Sequence, residues 1–442
     1  MSKNSLAYFI SWILLQFLFG VNCQMMPFKP TVSYGHTATL IDNKLYIIGG
    51  RDINGKFVGK EFFYLDFSVP FDTQKLLLWQ DLSYIDLVPP HSEAESVKGG
   101  ANNDTLFLYG GEISDQTMAL VYTFDSQSIT WTISKITGDY NVRKFRLTAV
   151  EHYGKMYLYS GVNKVINNNV ASYVFLNEMV ILDTINLSWS KGSLINAPSP
   201  RADYDATLLP NDNIIYLGGV SAPPTAYMSN ALTLSEVYLY NTINDNWSKK
   251  ITSGKIPSNR AAFSTVLGLD GQRIIIFGGF FDDPGYLDTT LYVLDLTNFN
   301  WYIPKISGNI PKYRKFHQAN VIGKYMVISF GIGYNKSVES DILLLDISNI
   351  EEYVWTTTFD PSVPNSIIPA PSLPPSSSPS PSSLQPSSSS SQLSNNIPAM
   401  AGAIVGSLFC GILLSFGGFF LYKWNKNKQK QRGIIRIQGN VN

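Results

Sequence analysis

The chain has 442 residues, of which 45% are hydrophobic and 13% aromatic, so it can bury a large core. Lys and Arg together number 33, as do Asp and Glu, and the formal net charge is zero. This balance argues against a nucleic-acid partner, because proteins that bind nucleic acids carry a clear excess of basic residues.

The first predicted element is a signal peptide over residues 1–23. Lys3 gives it a positive start, and the mostly apolar stretch Leu6–Val21 follows. Cys23 is small enough to precede a cleavage site, so the mature chain is predicted to begin at Gln24. An uncleaved anchor is the alternative, but polar residues leave the apolar run short for a membrane span.

The two cysteines of the chain are Cys23 and Cys410. If cleavage follows Cys23, the exported domain contains no cysteine and forms no disulfide. A large hydrophobic core must then hold it together.

Six repeats are predicted to fill residues 24–359. In each, an aliphatic run ends in a pair of small residues, and the pair recurs every 50 to 61 residues. Ser160 replaces the first glycine of the third pair, and Ile332 the second glycine of the sixth. Glycine suits a chain that needs positive φ or close backbone approach. The glycines of the pairs are Gly49, Gly50, Gly110, Gly111, Gly161, Gly218, Gly219, Gly278, Gly279 and Gly331.

A second run follows each pair and ends in an acid or amide, after which a tryptophan comes. We expect the acid to close a turn and the tryptophan to open an outer strand, with its ring between neighbouring sheets. Four short strands in each repeat indicate a propeller blade. The tryptophans are Trp79, Trp131, Trp189, Trp247, Trp301 and Trp355.

These repeats resemble the kelch family, which has the Gly-Gly pair after a hydrophobic strand, the acid that ends the next strand and the spaced tryptophan. The resemblance covers roughly residues 27–359. It implies an all-β, six-bladed kelch-type β-propeller that acts as a binding, adhesion or scaffold module through loops at its mouth. We expect no enzyme, no catalytic residue and no cofactor.

The alternative is a secreted-type propeller enzyme, either a metal-dependent oxidase or a lyase. The kelch fold overlaps with galactose oxidase, and that resemblance implies copper, two His and two Tyr ligands, and a Cys–Tyr crosslink. A domain without cysteine cannot form the crosslink. His36 and His317 precede the inner strands of the first and last blades, and a metal pair there is a weaker possibility.

An arginine recurs about 17 residues before the glycine pair in four consecutive repeats, while Val32 and Glu93 hold the same slot in the first two. The slot adjoins connections that, by the resemblance, form the partner-binding face. Two interpretations stay open: each arginine pairs with a carboxylate of a neighbouring blade, or the four bind a protein or glycan ligand with anionic groups. The arginines are Arg143, Arg201, Arg260 and Arg314.

Four Asn-x-Ser/Thr sequons lie in the predicted exported part, all in expected loops, which suits glycosylation of a secreted domain. The asparagines are Asn103, Asn186, Asn246 and Asn335.

The C-terminal part predicts membrane anchoring. Residues 360–398 are rich in Ser and Pro and are expected to form a disordered stalk. Residues 399–422 contain no charge and are long enough to span a bilayer. The basic tail, residues 423–442, is expected in the cytoplasm. The sequence thus predicts a single-pass type I protein of the plasma membrane, or of another secretory-pathway membrane, with its propeller outside the cytoplasm.

Overall fold

The structure is a computed structural model. The chain divides into two units, residues 1–370 and 371–442, and all described residues belong to the first. The predicted signal peptide, membrane span and tail, and the stalk beyond residue 362, lie outside the described residues. Within the described part, no helix is long and apolar enough to cross a membrane. The described residues are 27–362 without 114–117, 169, 222–230, 281–290, 334 and 336–337.

The first three blades take up the chain to residue 192. Their strands are β1 (Thr37–Ile41), β2 (Lys44–Ile48), β3 (Phe62–Asp66), β4 (Phe71–Asp72), β5 (Gln80–Asp81), β6 (His91–Ser92), β7 (Glu95–Gly99), β8 (Thr105–Tyr109), β9 (Glu112–Ile113), β10 (Val121–Asp125), β11 (Thr130–Thr132), β12 (Ala149–His152), β13 (Lys155–Tyr159), β14 (Val162–Asn167), β15 (Val170–Phe175), β16 (Met179–Asp183) and β17 (Ser188–Gly192).

The last three blades follow in the same order. Their strands are β18 (Arg201–Ala202), β19 (Asp205–Leu208), β20 (Asn213–Leu217), β21 (Val220–Ser221), β22 (Glu236–Asn241), β23 (Asn246–Ile251), β24 (Ser253–Gly254), β25 (Ala261–Leu267), β26 (Arg273–Phe280), β27 (Tyr292–Asp295), β28 (Asn300–Tyr302), β29 (Lys305–Gly308), β30 (Gln318–Ile322), β31 (Tyr325–Ser329), β32 (Ile342–Asp346), β33 (Glu352–Thr356) and β34 (Thr358–Phe359).

Six sheets form the blades, so the predicted all-β six-bladed propeller is confirmed. Their strand orders are β1-β2-β3-β5, β7-β8-β10-β11, β12-β13-β16-β17, β19-β20-β22-β23, β25-β26-β27-β28-β24 and β30-β31-β32-β33-β29. Within each blade the four main strands pair antiparallel, whereas β24 and β29 add a short parallel pair at the outer edge. The first strands of neighbouring blades contact one another around a closed circle, which places them at the axis.

The sequence pattern explains each strand's place. The second strand is a continuous apolar run, and in β20 Ile214 to Leu217 are all buried. Such a run suits a strand covered on both faces. The acid that ends the third strand closes the next turn, as predicted: Asp183 accepts the backbone N–H groups of Ile185 at 3.0 Å and Asn186 at 2.7 Å.

Each slot tryptophan contacts the preceding blade. The Trp247 indole N–H donates to Ser193 O at 2.8 Å, and that of Trp301 to Leu234 O at 3.1 Å. Across the junction of the first and last blades, Trp79 stacks on Phe330 with ring centroids 5.7 Å apart. The remaining ring contacts are Trp131 with Phe62, Trp189 with Tyr109 and Trp355 with Phe277.

No blade is completed by a strand from the other end of the chain, because the main strands of each sheet are consecutive. The junction of blades 1 and 6 has an added clasp, in which β34 pairs with β4. The rings of Phe71 and Phe359 stack there at 5.0 Å. The clasp lies in an insertion of blade 1, where the interval between Asp66 and Trp79 is longer than the six residues of the middle repeats.

Candidate binding face and axial channel

The propeller has two chemically different ends. Because the strands of a blade alternate in direction, the connections between second and third strands share one end with the connections between blades. We call this end the mouth, and the opposite end, with the tight turns, the turn end. The mouth connections are residues 49–61, 110–120, 160–178, 218–235, 278–291 and 330–341.

A ring of backbone hydrogen bonds joins the blades at the mouth. The N–H of the second residue of each glycine pair donates to a carbonyl of the next blade, at 2.8–3.1 Å. The ring closes where Gly331 donates to Ser33. We call the six acceptors the carbonyl slot: Ser33, His91, Lys144, Arg201, Arg260 and Arg314.

This ring corrects two sequence assignments. In blade 6, Gly331 takes the second position of the pair and Phe330 the first, with φ of 45°, so Ile332 lies outside the pair. In the first three blades, the slot contains Ser33, His91 and Lys144 rather than Val32, Glu93 and Arg143. The count failed because the spacing from slot to glycine pair runs from 16 residues in blade 1 to 19 in blade 2.

Three of the four predicted arginines make the same contact. Each donates through Nη1 to the carbonyl at the first position of its own glycine pair. The bonds are Arg201 to Gly218 at 3.1 Å, Arg260 to Gly278 at 3.3 Å, and Arg314 to Phe330 at 3.0 Å. All three side chains are buried. They therefore hold the mouth end of their own blade together.

Arg143 differs because Lys144 takes the slot in blade 3. Arg143 reaches back to blade 2, where it donates to Gly110 O at 2.6 Å and Ala119 O at 2.7 Å. The Lys144 ammonium lies 3.4 Å from Glu178. Burial lowers the pKa of Lys144 to about 8, although Glu178 opposes this shift.

The described acceptors of the four arginines are mainly backbone carbonyls, not carboxylates of neighbouring blades. Arg314 also lies 3.6 Å from Glu339, a carboxylate of its own blade. Binding of an anionic ligand by these arginines stays a prediction.

Two residues beyond each slot residue, a second backbone circle surrounds the axis. Each N–H donates to the carbonyl of the equivalent residue on the preceding blade, at 2.7–3.1 Å, and every φ lies between 53° and 63°. Positive φ is uncommon for residues other than glycine and persists where surrounding contacts hold it. We call these residues the axial ring: Gly35, Glu93, Arg146, Asp203, Ala262 and Phe316.

Three neighbouring members of the axial ring form a charged cluster. Arg146 donates to both carboxylate oxygens of Glu93, at 2.7 and 3.2 Å, and its Nη1 lies 3.7 Å from Asp203 Oδ2. Both carboxylates are buried. Burial raises the pKa of Asp203 to about 6, while Arg146 lowers it and Glu93 raises it further. The single guanidinium group is therefore the main compensation for two buried acids.

Beside the axial ring lies a cavity of about 70 Å³, lined by the starts of the inner strands. That volume suits a few water molecules rather than an organic substrate. Glu95 and Asp205 are part of its wall. Burial raises the pKa of Glu95 well above its usual range, and that of Asp205 to about 6. Asp205 accepts a hydrogen bond from Thr148 Oγ1 at 3.1 Å and from the Thr265 hydroxyl at 3.0 Å.

The histidines of the first and last blades bond to serines across blade interfaces. His36 Nε2 lies 2.9 Å from Ser329 Oγ, and His317 Nε2 lies 2.7 Å from Ser264 Oγ. Burial lowers the pKa of both rings to about 3, so both are neutral in the folded protein. Among the residues that the structure describes, no group of three or more His, Asp or Glu side chains is placed to hold a metal ion.

We expect His317 to make the folded state acid-sensitive. A ring whose pKa falls from 6.5 to about 3 on folding contributes stability above pH 6.5 and loses it as the pH drops towards 3. The stability deficit of His317→Gln relative to wild type should therefore shrink by about 2 kcal/mol between pH 7 and pH 5. Chemical denaturation at both pH values measures it.

Asp205→Asn is the control with the opposite sign. A carboxyl whose pKa rises on folding becomes less costly to bury as the pH falls through about 6. The wild type should gain stability relative to Asp205→Asn over the same interval. A deficit of His317→Gln that is the same at both pH values would contradict the neutral buried ring.

The sequons lie unevenly on the two ends. Asn103, Asn186 and Asn246 are exposed at the turn end, in or beside the tight turns of blades 2, 3 and 4. Asn335 is half-buried in the mouth connection of blade 6. Glycosylation at these positions stays a prediction.

Sequence reasoning missed the axial ring. Its six residues share no side-chain chemistry, since their common role belongs to the backbone. The one usable signal was the fixed offset of two residues from the carbonyl slot.

Comparison with solved structures and curated proteins agrees with this architecture. The structure of YjhT matches with a TM-score of 0.56 at 15% identity, over 75% of this chain and 99% of that one, which supports the fold alone. Acyl-CoA-binding domain-containing protein 4 of Arabidopsis thaliana is 25% identical over 350 residues, which are 77% of this chain and 48% of that protein. Kelch domain-containing protein 3 of Homo sapiens is 32% identical over 132 residues, which are 27% of this chain and 32% of that protein.

The chain thus spans about half or less of the length of these two curated relatives. The family model that matches is described as the KLHDC2/KLHL20/DRC7 Kelch-repeats domain, and it covers residues 35–267 and 226–371. Together these two ranges take in most of the chain and all six blades. The chain belongs to the kelch-repeat family.

Proposed function

We propose that the chain is a membrane-anchored propeller of the cell surface that binds a protein or glycan ligand at its mouth, for adhesion or scaffolding. The kelch-repeat match supports a protein-binding or scaffold module. The surface location and the finer choice of ligand belong to the proposal.

The observation on which the proposal depends is the place where the chain leaves the ring. The Phe359 ring lies 5.1 Å from that of Tyr325, which begins β31 at the turn end, and 4.9 Å from that of Phe67. The Phe67 N–H donates to Asn43 O in a tight turn of blade 1. The last described residues therefore depart from the turn end, and an anchor that follows them leaves the mouth free.

The sequons support the same orientation. Glycans on Asn103, Asn186 and Asn246 would cover the turn end of three consecutive blades. At the mouth only Asn335 would bear a glycan. A protein ligand would then meet bare protein surface at the mouth.

The mouth has the mixed chemistry that a protein ligand needs. An apolar cluster lies among the connections of blades 3 to 6 and includes Phe145 and Phe280. On the other side, Glu112 bridges Arg51 at 2.9 Å and Lys164 at 3.2 Å, which links three connections by ion pairs. Apolar residues beside charged ones are typical of transient protein interfaces.

Anionic groups on the ligand are the finer part of the proposal. They would be recognised by Arg143, Arg201, Arg260 and Arg314, which lie at the mouth end behind its surface. A guanidinium group offers five donors in a fixed fork.

A glycan placed on the mouth should block ligand binding. Lys56→Thr creates a sequon at Asn54, within an exposed turn of the first mouth connection. We expect a mass shift from the glycan and a loss of the proteins or glycans that a membrane-impermeant crosslinker captures with the full-length chain on intact cells.

The matched control is Asn300→Ser. It creates a sequon at Asn298 in the tight turn of blade 5, at the place that Asn186 holds in blade 3. This variant should be glycosylated and keep its captured partners. If neither variant acquires a glycan, the exported location is wrong. If both do and capture is equal, the mouth is not the binding face.

A further inference from the structure

The mouth connection of blade 3 is a hairpin with one unpaired edge. Its strands β14 and β15 pair from Val162 with Phe175 to Asn167 with Val170. β14 is tied to the blade, because Val162 and Phe145 exchange two backbone hydrogen bonds of 3.0 Å. No strand in the described ranges pairs with the other edge of β15. That edge presents backbone N–H and C=O groups along six residues.

The base of this hairpin is held firmly. Phe175 packs against the apolar cluster that contains Phe145 and Val162. Lys164 forms its ion pair with Glu112 of blade 2 at 3.2 Å. The edge of β15 is therefore fixed in position relative to the mouth.

The outer part of the hairpin exposes apolar side chains. Ile166 is 51% exposed, Val170 67%, Tyr173 42% and Val174 43%. Residues 165–177 contain neither a charge nor a proline. Edge strands of natural proteins are usually protected by charges, prolines or bulges. A bare, uncharged edge favours the addition of another strand.

We propose that β15 pairs edge to edge with β15 of a second copy of this chain, in an antiparallel two-fold dimer. Charge favours this occupant, because the uncharged edge offers nothing to a charged partner and does not repel its own copy. Lys164, the one charge on the hairpin, is neutralised by Glu112. A two-fold axis requires a surface that complements itself, as this edge does.

The register follows from the side-chain alternation. Val170, Ser172 and Val174 point to the same face of β15, because neighbouring side chains on a strand alternate. With Ser172 opposite its own copy, each Val170 meets Val174 of the other chain. Pairs of β-branched residues across strands stabilise a sheet.

The covered area is small. Four exposed side chains of one hairpin fall well short of the roughly 800 Å² per partner in a standard interface. We therefore expect weak pairing in free solution and stronger pairing where chains are held in one membrane, which raises their effective concentration. This expectation of strength rests on the proposed anchor.

Cysteine crosslinking on intact cells tests the register. The chain has only Cys23 and Cys410, so a full-length Cys410→Ser parent gives a clean background. Ser172→Cys in that parent should form a disulfide-linked homodimer under mild oxidation. Ser190→Cys, at an exposed serine on β17 of the same blade, is the matched control and should stay monomeric.

A second substitution tests the edge itself. Val174→Lys added to Ser172→Cys should remove most of the disulfide dimer, because it places a charge beside the partner strand. Ile251→Lys, at a 68% exposed position of β23, should leave the dimer unchanged. Surface level and melting temperature of each variant confirm folding.

Two outcomes overturn the proposal. Equal crosslinking of Ser172→Cys and Ser190→Cys would mean that chains meet by random collision. Crosslinking of Ser172→Cys to a different protein, lost with Val174→Lys, would assign the edge to that protein. Ligand capture is read out separately by the glycan at Asn54, so failure of one proposal is distinguishable from failure of the other.

Discussion

Arg146→Met should lower the free energy of unfolding by about 3–5 kcal/mol, because it leaves two buried carboxylates without their counter-charge. Glu93 and Asp203 both belong to the axial ring, where backbone bonds hold them close to the axis. Chemical denaturation of the purified protein measures the loss. Lys191→Met, at an exposed lysine of β17, is the matched control and should change stability by less than about 0.5 kcal/mol.

Two further observations separate this charge effect from simple loss of packing. The deficit of Arg146→Met should be larger at pH 8 than at pH 5, since protonation of Asp203 relieves the unpaired charge. The triple variant with Glu93→Gln and Asp203→Asn should recover most of the loss, because no buried charge remains. A deficit that is independent of pH and persists in the triple variant would assign Arg146 a packing role.

The blade count was predictable because the repeat is defined by residues with a specific physical task. The second glycine of each pair donates to the next blade, and an added side chain at Gly110 or Gly278 would meet a carbonyl oxygen of that blade. The tryptophans fill the interfaces between blades. Few other residues can do either job, so the period is visible in the sequence.

The exact register was less predictable. Phe330 occupies a position that glycine holds in four other blades, and its φ of 45° shows that the site tolerates a side chain there. A reader of the sequence assigns the visible Gly331 to the first position instead. The hydrogen bond from Gly331 to Ser33 reveals the true alignment, and it joins residues almost 300 positions apart.

The arginine slot was half predictable for a related reason. Counting found the recurrence in blades 4 to 6, where Arg201, Arg260 and Arg314 make one contact. It failed in blade 3, where Arg143 and its neighbour Lys144 exchange roles. Two adjacent basic residues give no sequence signal for which one points into the blade.

The axial ring and the β15 edge were beyond sequence reasoning. Around the axial ring the same backbone conformation is adopted by residues as different as Gly35, Glu93 and Phe316. It is imposed by neighbours on both sides, which only the closed circle supplies. The open edge of β15 depends on what fails to pair with it in three dimensions.

Trp301→Ala should cost about 3–5 kcal/mol of unfolding free energy, since it removes a fully buried side chain at the interface of blades 4 and 5. The indole packs with apolar residues of both blades and donates to Leu234 O at 3.1 Å. Blade 4 and blade 5 must both keep their neighbours for the ring to close. We therefore expect one cooperative transition at lower denaturant concentration rather than the separate unfolding of one blade.

Two comparators make this test specific. Trp301→Phe keeps an apolar ring but loses the N–H, and it should cost about 1 kcal/mol for that hydrogen bond in addition to the smaller volume. The lost bond is modest because Leu234 O also accepts the Thr252 hydroxyl at 2.7 Å. Trp189→Ala, at the equivalent slot of blade 3, should cost less than Trp301→Ala because Trp189 is only partly buried. If both alanine variants lose the same stability, burial at the slot does not set the strength of the blade interface, and the closed-ring argument fails at its central step.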